Sequence, residues 1–529
     1  MNILVIKLNI KFSVETVYYN LSENDYFCFL DSSLEENKYS KYSYIGFEPV
    51  FDIQSKGNKN IFKNIKTGEI SEEEGNPLDF LEKILSKNVF FNFKEKSKKI
   101  SISFFDNSNG QYIKKAENIV KKFPDFKGGF IGYFSYDLKN FIEELPQTCI
   151  DDLNLPDLHL IYFKNVLSYS HKEKCWYYIN IYNEDENFYK KKFNDVKNIE
   201  FVKNIANTAE LKIAQKIKFV SEDEIRKRIV QKYILKNINQ VNISSNITKR
   251  KYSVNLLKAK KYIHNGDIYQ VNFTHRFHSK LQVDGHDFYF ILRKINAAPF
   301  CAYLNFPEVK IASTSPERFL YINKNYIETR PVKGTRPRGK NQKEDQHFKD
   351  ELNNSLKDRA ELNMIVDLER NDLGKFCKYG SVKVKEHAVI EKYARVFHLV
   401  STVTGKIKTG TTFSRILKAV FPGGSITGAP KIRSMQIIDE LEKNTRSIYT
   451  GSIGYISVDG IADLNIAIRT FIIKNKNFYY NTGGGIVEDS NPDEEYEETL
   501  QKGKALEEAI RFFKCDNLLK LNKEASPIS

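Results

Sequence analysis

The chain has 529 residues, 41% hydrophobic and 13% aromatic, which is enough to bury a large core and excludes a disordered protein. Its 82 Lys and Arg against 67 Asp and Glu leave a net charge of +15, but the basic residues form no long block and no aromatic-interleaved basic motif. That argues against nucleic acid or a membrane surface as partner and fits a general lysine enrichment that would help attract an anionic substrate.

Six scattered cysteines without C-x-x-C spacing indicate neither zinc nor a disulfide framework. The opening MNILVIKLNIKF alternates as a strand and lacks a signal-peptide pattern, and no apolar run approaches the roughly 18–20 residues that span a bilayer. A soluble, reducing, cytoplasmic setting is expected.

Residues 1–205 predict a strand-rich domain, with FCFLDSS, YSYIGFEPVFDI, GGFIGYFSYDL, HLIYFKNVLSYS and KCWYYINIY as strands. Pro77–Lys87 and Lys115–Lys121 read as helices, and Gly128, Gly129 and Gly132 suggest a bulge or close backbone approach. Residues 206–250 read as a charged helical connector with a helix over Glu222–Lys236. Residues 251–515 form the best-defined unit, and 516–529 reads as a loose tail.

In that unit Ser253 is expected to cap a helix through His264, with Val254, Leu257 and Tyr262 as its apolar stripe. The strand from Asp267 carries Gln270, Asn272 and Thr274 on one face, which suits either a cleft or a solvent face. Phe319–Ile322 and Tyr326–Thr329 predict a hairpin turning at Asn323-Lys324-Asn325. If Ile322 pairs with Tyr326, Glu317 falls opposite Pro331, and Lys333 becomes its diagonal neighbour at roughly 7–8 Å. A carboxylic acid and an amine facing one pocket suit a reaction in which one protonates a leaving group and the other attacks. The bland alternative is a solvated surface lysine.

A helix over Glu344–Leu368 follows, placing Asp358 and Glu361 on one face. His398 sits in an apolar strand, where a hydrogen-bonded core histidine is the commoner case. FPGGSITGAPKIRSMQIIDELEK is a glycine-rich loop running into a helix whose free N–H groups could hold an anion, without the P-loop spacing. Arg469 falls in an apolar run and needs an anionic partner if buried. Three glycines in NTGGGIVEDS could let backbone approach a ligand, and a last helix over Asp493–Phe513 places Glu495, Glu498 and Lys502 on one face.

In chain order SPERFL, ETRPVKGTRPRG, DRAELNMIVDLERNDLG, FHLVSTVTG, FPGGSITGAPKIRSMQIIDELE, GSIGYIS, IAIRT and GGGIVEDSNPDEEYEET resemble the motifs of the chorismate-utilising enzymes. The resemblance is strong over Tyr252–Phe513 and weaker over FLDSS, YSKYSYIGFEP and GGFIGYFSYD. It implies an α+β fold of two packed antiparallel β-sheets with outer helices, the two halves interleaved. Gln270 resembles the amine-transferring branch, where water-using members carry a lysine. Lys333 in PVKGT resembles the aminodeoxychorismate synthases, where anthranilate synthases carry alanine. The implied function is amination of chorismate to 4-amino-4-deoxychorismate, towards para-aminobenzoate and folate, with anthranilate synthase component I as the alternative.

The resemblance further implies Glu317 as proton donor, Lys333 as nucleophile forming a lysine-bound intermediate, and His398 positioning the ring or the metal network. Burial would keep Glu317 protonated, and Arg330 or Arg336 would favour the neutral lysine. Ser425, Thr427, Gly428, Tyr449, Arg469, Gly483, Gly484 and Lys502 match substrate-binding positions. Glu361 and Glu498, then Asp358 and Glu495, match an Mg²⁺ region; Asp358 stands where glutamate is common. Ammonia is expected from a separate glutamine amidotransferase subunit. Ser32, Tyr39, Ser40, Lys41 and Tyr42, with Pro299, Phe300 and Cys301, resemble a tryptophan pocket, although Asn296-Ala297 departs from the usual Asn-Pro.

Overall fold

Two long strands, Tyr42–Lys56 and Leu158–Ser170, run antiparallel and are each shared by two arms of one sheet. Their valine, isoleucine and aromatic content suits a backbone buried on both faces. The register of the first slips between Pro49 and Phe51, where Glu48 takes a positive φ of 55°, and such a bulge bends a strand from one layer into the next. The computed structural model describes residues 2–34, 38–88, 101–107, 111–113, 123–182, 199–238, 240–393 and 395–524.

One arm runs from Asn2–Lys7 through Cys175–Tyr182 to the shared strands, and on through Phe27–Asp31, Phe300–Asn305, Lys310–Ser315, Thr470–Lys474 and Asn477–Ile486 to Gln270–Lys280. The other leaves Leu158–Ser170 through Gly129–Phe134, Ser452–Ser457, Ala462–Asn465, Arg318–Asn323 and Tyr326–Arg330 to Val396–Lys406. The expected α+β fold is borne out, and the two arms belong to one hydrogen-bonded network. Their facing sides share a core that includes Ile53, Tyr133, Leu304, Leu320 and Ile453. The outer side of the first arm packs on helices through a second core of Phe29, Tyr303, Phe288, Ile229 and Leu506. The halves interleave: Phe27–Asp31 pairs with Phe300–Asn305, and Gly129–Phe134 with Ser452–Ser457. At Gly132 a Cβ would lie 2.0 Å from the His159 carbonyl oxygen, the close approach its sequence suggested.

Several local expectations change. The helix expected from Ser253 begins at Lys249 under a Thr248 cap, and its buried stripe is Tyr252, Leu256 and Ala259, leaving Val254 and Leu257 exposed. The cap lies five residues earlier than expected, and the packing side is set by the larger Tyr252 rather than by Val254. The single helix expected over Glu344–Leu368 is two, Gln342–Asn354 and Leu356–Gly374, divided at Ser355, whose hydroxyl caps the second. The tail after Cys515 is a helix to Glu524 with Leu518 fully buried. The helix expected over Lys115–Lys121 lies outside the described residues. Among the described residues no helix is long and apolar enough to cross a membrane.

Candidate functional site

The hairpin expected around Glu317 is present, with a shifted register. Asn323 pairs with Tyr326 and Ile322 with Ile327, so the turn is the two residues Lys324 and Asn325, with Lys324 at φ 56°. A bulge between Arg318 and Tyr321 then restores the offset, and Arg318 faces Arg330. Glu317 therefore reaches Pro331–Val332 after all, and its carboxyl accepts the Val332 N–H. Its backbone is pinned from the other side, where Ile466 N–H donates to the Glu317 carbonyl at 3.0 Å.

Glu317 is buried, and burial pushes its carboxyl up to about 7 against the pull of Ser425, Lys333, the Val332 N–H and Arg469. Lys333 Nζ donates to the Ser425 carbonyl at 3.3 Å. Acid and amine thus meet at the glycine-rich loop. Arg330 and Arg336, expected to act on the lysine, are each turned to carboxylates instead: Arg330 to Glu391 at 2.7 Å, Arg336 to Glu351 at 2.6 Å and Asp358 at 3.2 Å. Opposite charges beside them cancel their field.

His398 and Arg469 form the next layer. The Arg469 guanidinium donates to His398 Nε2 at 3.2 Å, which leaves Nδ1 as the donor towards Thr335 Oγ1 at 3.0 Å and the Gly334 carbonyl at 3.4 Å. Burial and the arginine charge lower the histidine to about 3, so it is neutral. Arg469 does not lie in a continuous strand: Ala462–Asn465 and Thr470–Lys474 are separate, and Arg469 sits between them at φ 50°. It makes no ion pair among the described residues, although burial disfavours its charge. An unpaired, strained cation beside the acid is ready for an anionic ligand.

The side chain of Gln270 is buried with its Oε1 unpartnered. It fits because residue 485 is glycine: a Cβ there would lie 1.8 Å from Gln270 Nε2. The first residue of its strand pairs with the loop at Ala429, and Val271 with Gly428. Thr427 turns its hydroxyl back on the Gly423 carbonyl at 3.0 Å, so it closes the loop rather than facing outward. Tyr449 is buried beside Arg446 and Glu442. The Gly483 carbonyl accepts from Lys502 at 3.0 Å, while Gly484 faces the acidic helix: a Cβ there would lie 3.1 Å from Glu495 Oε2 and 3.9 Å from Glu498 Oε1.

That helix, Pro492–Phe512, starts under an Asn491 cap with proline and three acidic residues in its first turn, all favourable at a helix N-terminus. Glu495 accepts from Ser490 Oγ at 2.7 Å; burial raises its pKa, Ser490 opposes this and Glu498 adds to it. For Glu498 the raising effect of burial is outweighed by Lys502, Lys357 and Lys333. Lys357 acts on both carboxylates, and Glu361 lies one turn further on the same helix face. Glu361 makes no hydrogen bond or ion pair among the described residues, whereas Asp358 is engaged by Arg336. Among the described residues no three acidic, histidine or cysteine side chains are gathered tightly enough to hold a metal ion.

A cavity of about 620 Å³ is lined by the hairpin residues Arg318, Tyr321, Tyr326 and Glu328 but by neither Glu317 nor Lys333. Ser32, Tyr39, Lys41, Tyr42, Pro299, Phe300 and Cys301 line it with Arg318, Asp31 and Asp463; Ser40 is buried but does not line it. Arg330 stacks on the Tyr39 ring at 4.0 Å and Arg318 at 4.8 Å.

Sequence reasoning missed Glu369, a buried carboxyl that accepts from Thr329 Oγ1 at 2.9 Å. Burial first, and Glu317 second, hold its pKa well above the usual range. Its place in the LERND run, one turn before Asp372, carried no signal without knowing that Asp372 is buried against Lys431.

A branched sheet of two facing arms with an acid, an amine and an unpaired arginine between them is the setting of an enzyme acting on an anionic ligand. The chain belongs to the chorismate binding enzyme family, which matches residues 34–508. It is 35% identical to anthranilate synthase component 1 of Acetivibrio thermocellus over 490 residues, 91% of this chain and 90% of that protein. It is 37% identical to aminodeoxychorismate synthase component 1 of Bacillus subtilis (strain 168) over 396 residues, 74% and 78% of the two. The crystal structure of anthranilate synthase component I from Streptococcus pneumoniae TIGR4 superposes with a TM-score of 0.68 at 27% identity, covering 89% of this chain and 92% of that one.

Proposed function

We propose that this enzyme aminates chorismate to 4-amino-4-deoxychorismate, with ammonia from a glutamine amidotransferase partner. The observation that carries the reading is the primary amine of Lys333 beside Glu317, a buried carboxyl that keeps its proton to about pH 7. The relatives divide between two names of comparable similarity, so the reading rests on this pair and not on identity.

Chorismate offers two carboxylates and an allylic hydroxyl. Arg469 supplies the free cation for a carboxylate, oriented by neutral His398. Glu317 protonates the hydroxyl oxygen and Lys333 attacks the ring, so that a C–N bond replaces C–O and water leaves. Ammonia then replaces the lysine, and pyruvate stays on the product. Gln270, with its unpartnered amide oxygen, suits an acceptor for the incoming ammonia's N–H.

The carboxylates fit a hard cation: oxygen donors only, one of them unpaired and two within electrostatic reach of each other. Glu361, Glu495 and Glu498, too far apart as they stand to grip an ion directly, would hold Mg²⁺ through water, and Asp358 would first have to leave Arg336. The ion would neutralise a substrate carboxylate that could not otherwise approach the acidic helix. The 620 Å³ cavity, with its aromatic and cationic lining, suits tryptophan.

Incubation of the chain with chorismate, Mg²⁺ and free ammonia tests the reading. Aminodeoxychorismate without pyruvate release is expected; fluorescent anthranilate with pyruvate overturns it in favour of anthranilate synthesis.

A further inference from the structure

The Ser425 hydroxyl has so far been placed only as a group that pulls on Glu317. The side chain is only 6% exposed, and its Oγ has no partner of hydrogen-bond geometry. Leaving a buried hydroxyl unpaired costs the folded state its lost hydration. The position is not slack: the same residue's carbonyl accepts from Lys333 Nζ at 3.3 Å, and the hydroxyl is near enough to Glu317 to act on it. Ser425 thus stands between the acid and the amine, touching one through its backbone and addressing the other through its side chain. The loop is fixed there by Thr427 Oγ1 on the Gly423 carbonyl and by Lys431, which donates to the Pro422 carbonyl at 3.0 Å.

We infer that Ser425 is the proton relay between Lys333 and Glu317, reloading the acid between the two displacements. This rests on the lysine-bound reading above. In the first displacement the lysine nitrogen bonds to carbon, the C–O bond breaks, and the Glu317 proton departs with the hydroxyl as water. The lysine nitrogen then carries one proton too many and Glu317 one too few. Nζ passes its proton to Ser425 Oγ while the Ser425 proton passes to the carboxylate. In the second displacement the relay runs backwards. Glu317 reprotonates the lysine nitrogen through Ser425, ammonia bonds to carbon, and Lys333 leaves as a neutral amine. The product ammonium returns one proton to Glu317, and the cycle closes without an outside acid. A hydroxyl with one donor and two acceptor sites can do this; a methyl group cannot.

The test uses Ser425→Ala and Ser425→Thr in the full chain with chorismate, Mg²⁺ and free ammonia. Ser425→Ala should lose about 100-fold in turnover. Because the hydroxyl pulls the Glu317 pKa down, its loss should also move the alkaline limb of the pH profile upward. Lys333, Arg469 and Glu369, the other charged groups around that carboxyl, are unchanged in the variant. Intact-mass analysis should show the lysine adduct accumulating in Ser425→Ala with ammonia present, since its discharge is the step that needs the relay. Ser425→Thr, which keeps the hydroxyl, should restore rate and limb. An alanine variant with wild-type rate and profile overturns the relay, as do alanine and threonine variants equally slow with an unmoved limb. A wild-type enzyme that aminates chorismate but never carries an adduct sinks the lysine intermediate itself, and the relay with it.

Discussion

Glu317 and Arg318 are consecutive residues whose side chains join different groups. The Glu317 carboxyl joins Val332, Ser425 and Lys333, while the Arg318 guanidinium crosses to Asp463 at 2.7 Å and Glu328 at 2.9 Å on the wall of the 620 Å³ cavity. The start of one strand therefore separates the acid–amine pair from that cavity. Because neighbouring side chains on a strand point to opposite faces, whatever displaces Arg318 pulls on the backbone of the acid.

Glu317→Gln should cut amination by 10²–10⁴-fold, the usual range for an acid catalyst. It should also stabilise the protein at alkaline pH. The unfolded carboxyl releases its proton near 4.5 and the folded one near 7, so rising pH favours unfolding between those values. The cost is absent below pH 4.5 and complete above 7, at roughly 3 kcal/mol. Thermal melts should therefore show a higher Tm than wild type at pH 8 and no gain at pH 4; equal melts at both would mean the carboxyl ionises freely in the fold.

Lys333→Ala should abolish aminodeoxychorismate formation. Intact-mass spectra of wild type with chorismate and no ammonia should show an adduct that the variant lacks. Unchanged turnover would remove the lysine from the chemistry while leaving Glu317 as the acid.

Arg469→Gly should weaken substrate binding yet not the fold. The arginine is an unpaired cation at φ 50°, and each of these features costs the folded state, of order 1–3 kcal/mol for the backbone alone. KM should rise at least tenfold while Tm holds or increases. A falling Tm would show that Arg469 is a structural group.

Gly485→Ala should displace Gln270, since the new carbon would stand 1.8 Å from its amide nitrogen. Overpacking of this kind costs about 1–3 kcal/mol. A drop in both Tm and turnover is expected, and a second substitution, Gln270→Ala, should recover the Tm but not the turnover.

Glu361→Gln should weaken the Mg²⁺ dependence of turnover. An unaltered Mg²⁺ titration would exclude this carboxylate, and Asp358→Asn should matter less because Arg336 already holds that side chain.

The acid–amine pair was legible because strand alternation and turn residues are local properties. The offset of Glu317 came out as expected even though two assumptions behind it were wrong: the turn is shorter and a bulge compensates, and no local signal marks that bulge. The reading of Arg330 and Arg336 failed for a related reason. Their carboxylate partners, Glu391 and Glu351, come from segments whose approach only the folded chain determines. Val254 and Leu257 have helical spacing but lost the buried side to Tyr252 and Leu256, since two stripes fitted the same helix. Gly485 was one of three glycines in a row, and only packing shows which of them Gln270 requires.

The strands Tyr42–Lys56 and Leu158–Ser170 belong to both arms, and the first arm continues only by borrowing Phe300–Asn305 from far along the chain. The protein is thus indivisible: a fragment carrying the catalytic motifs alone would bare the Ser452–Ser457 and Phe300–Asn305 edges to its neighbours in solution. The 620 Å³ cavity shares that fate, because its walls are drawn from both halves of the chain and neither half alone would enclose it.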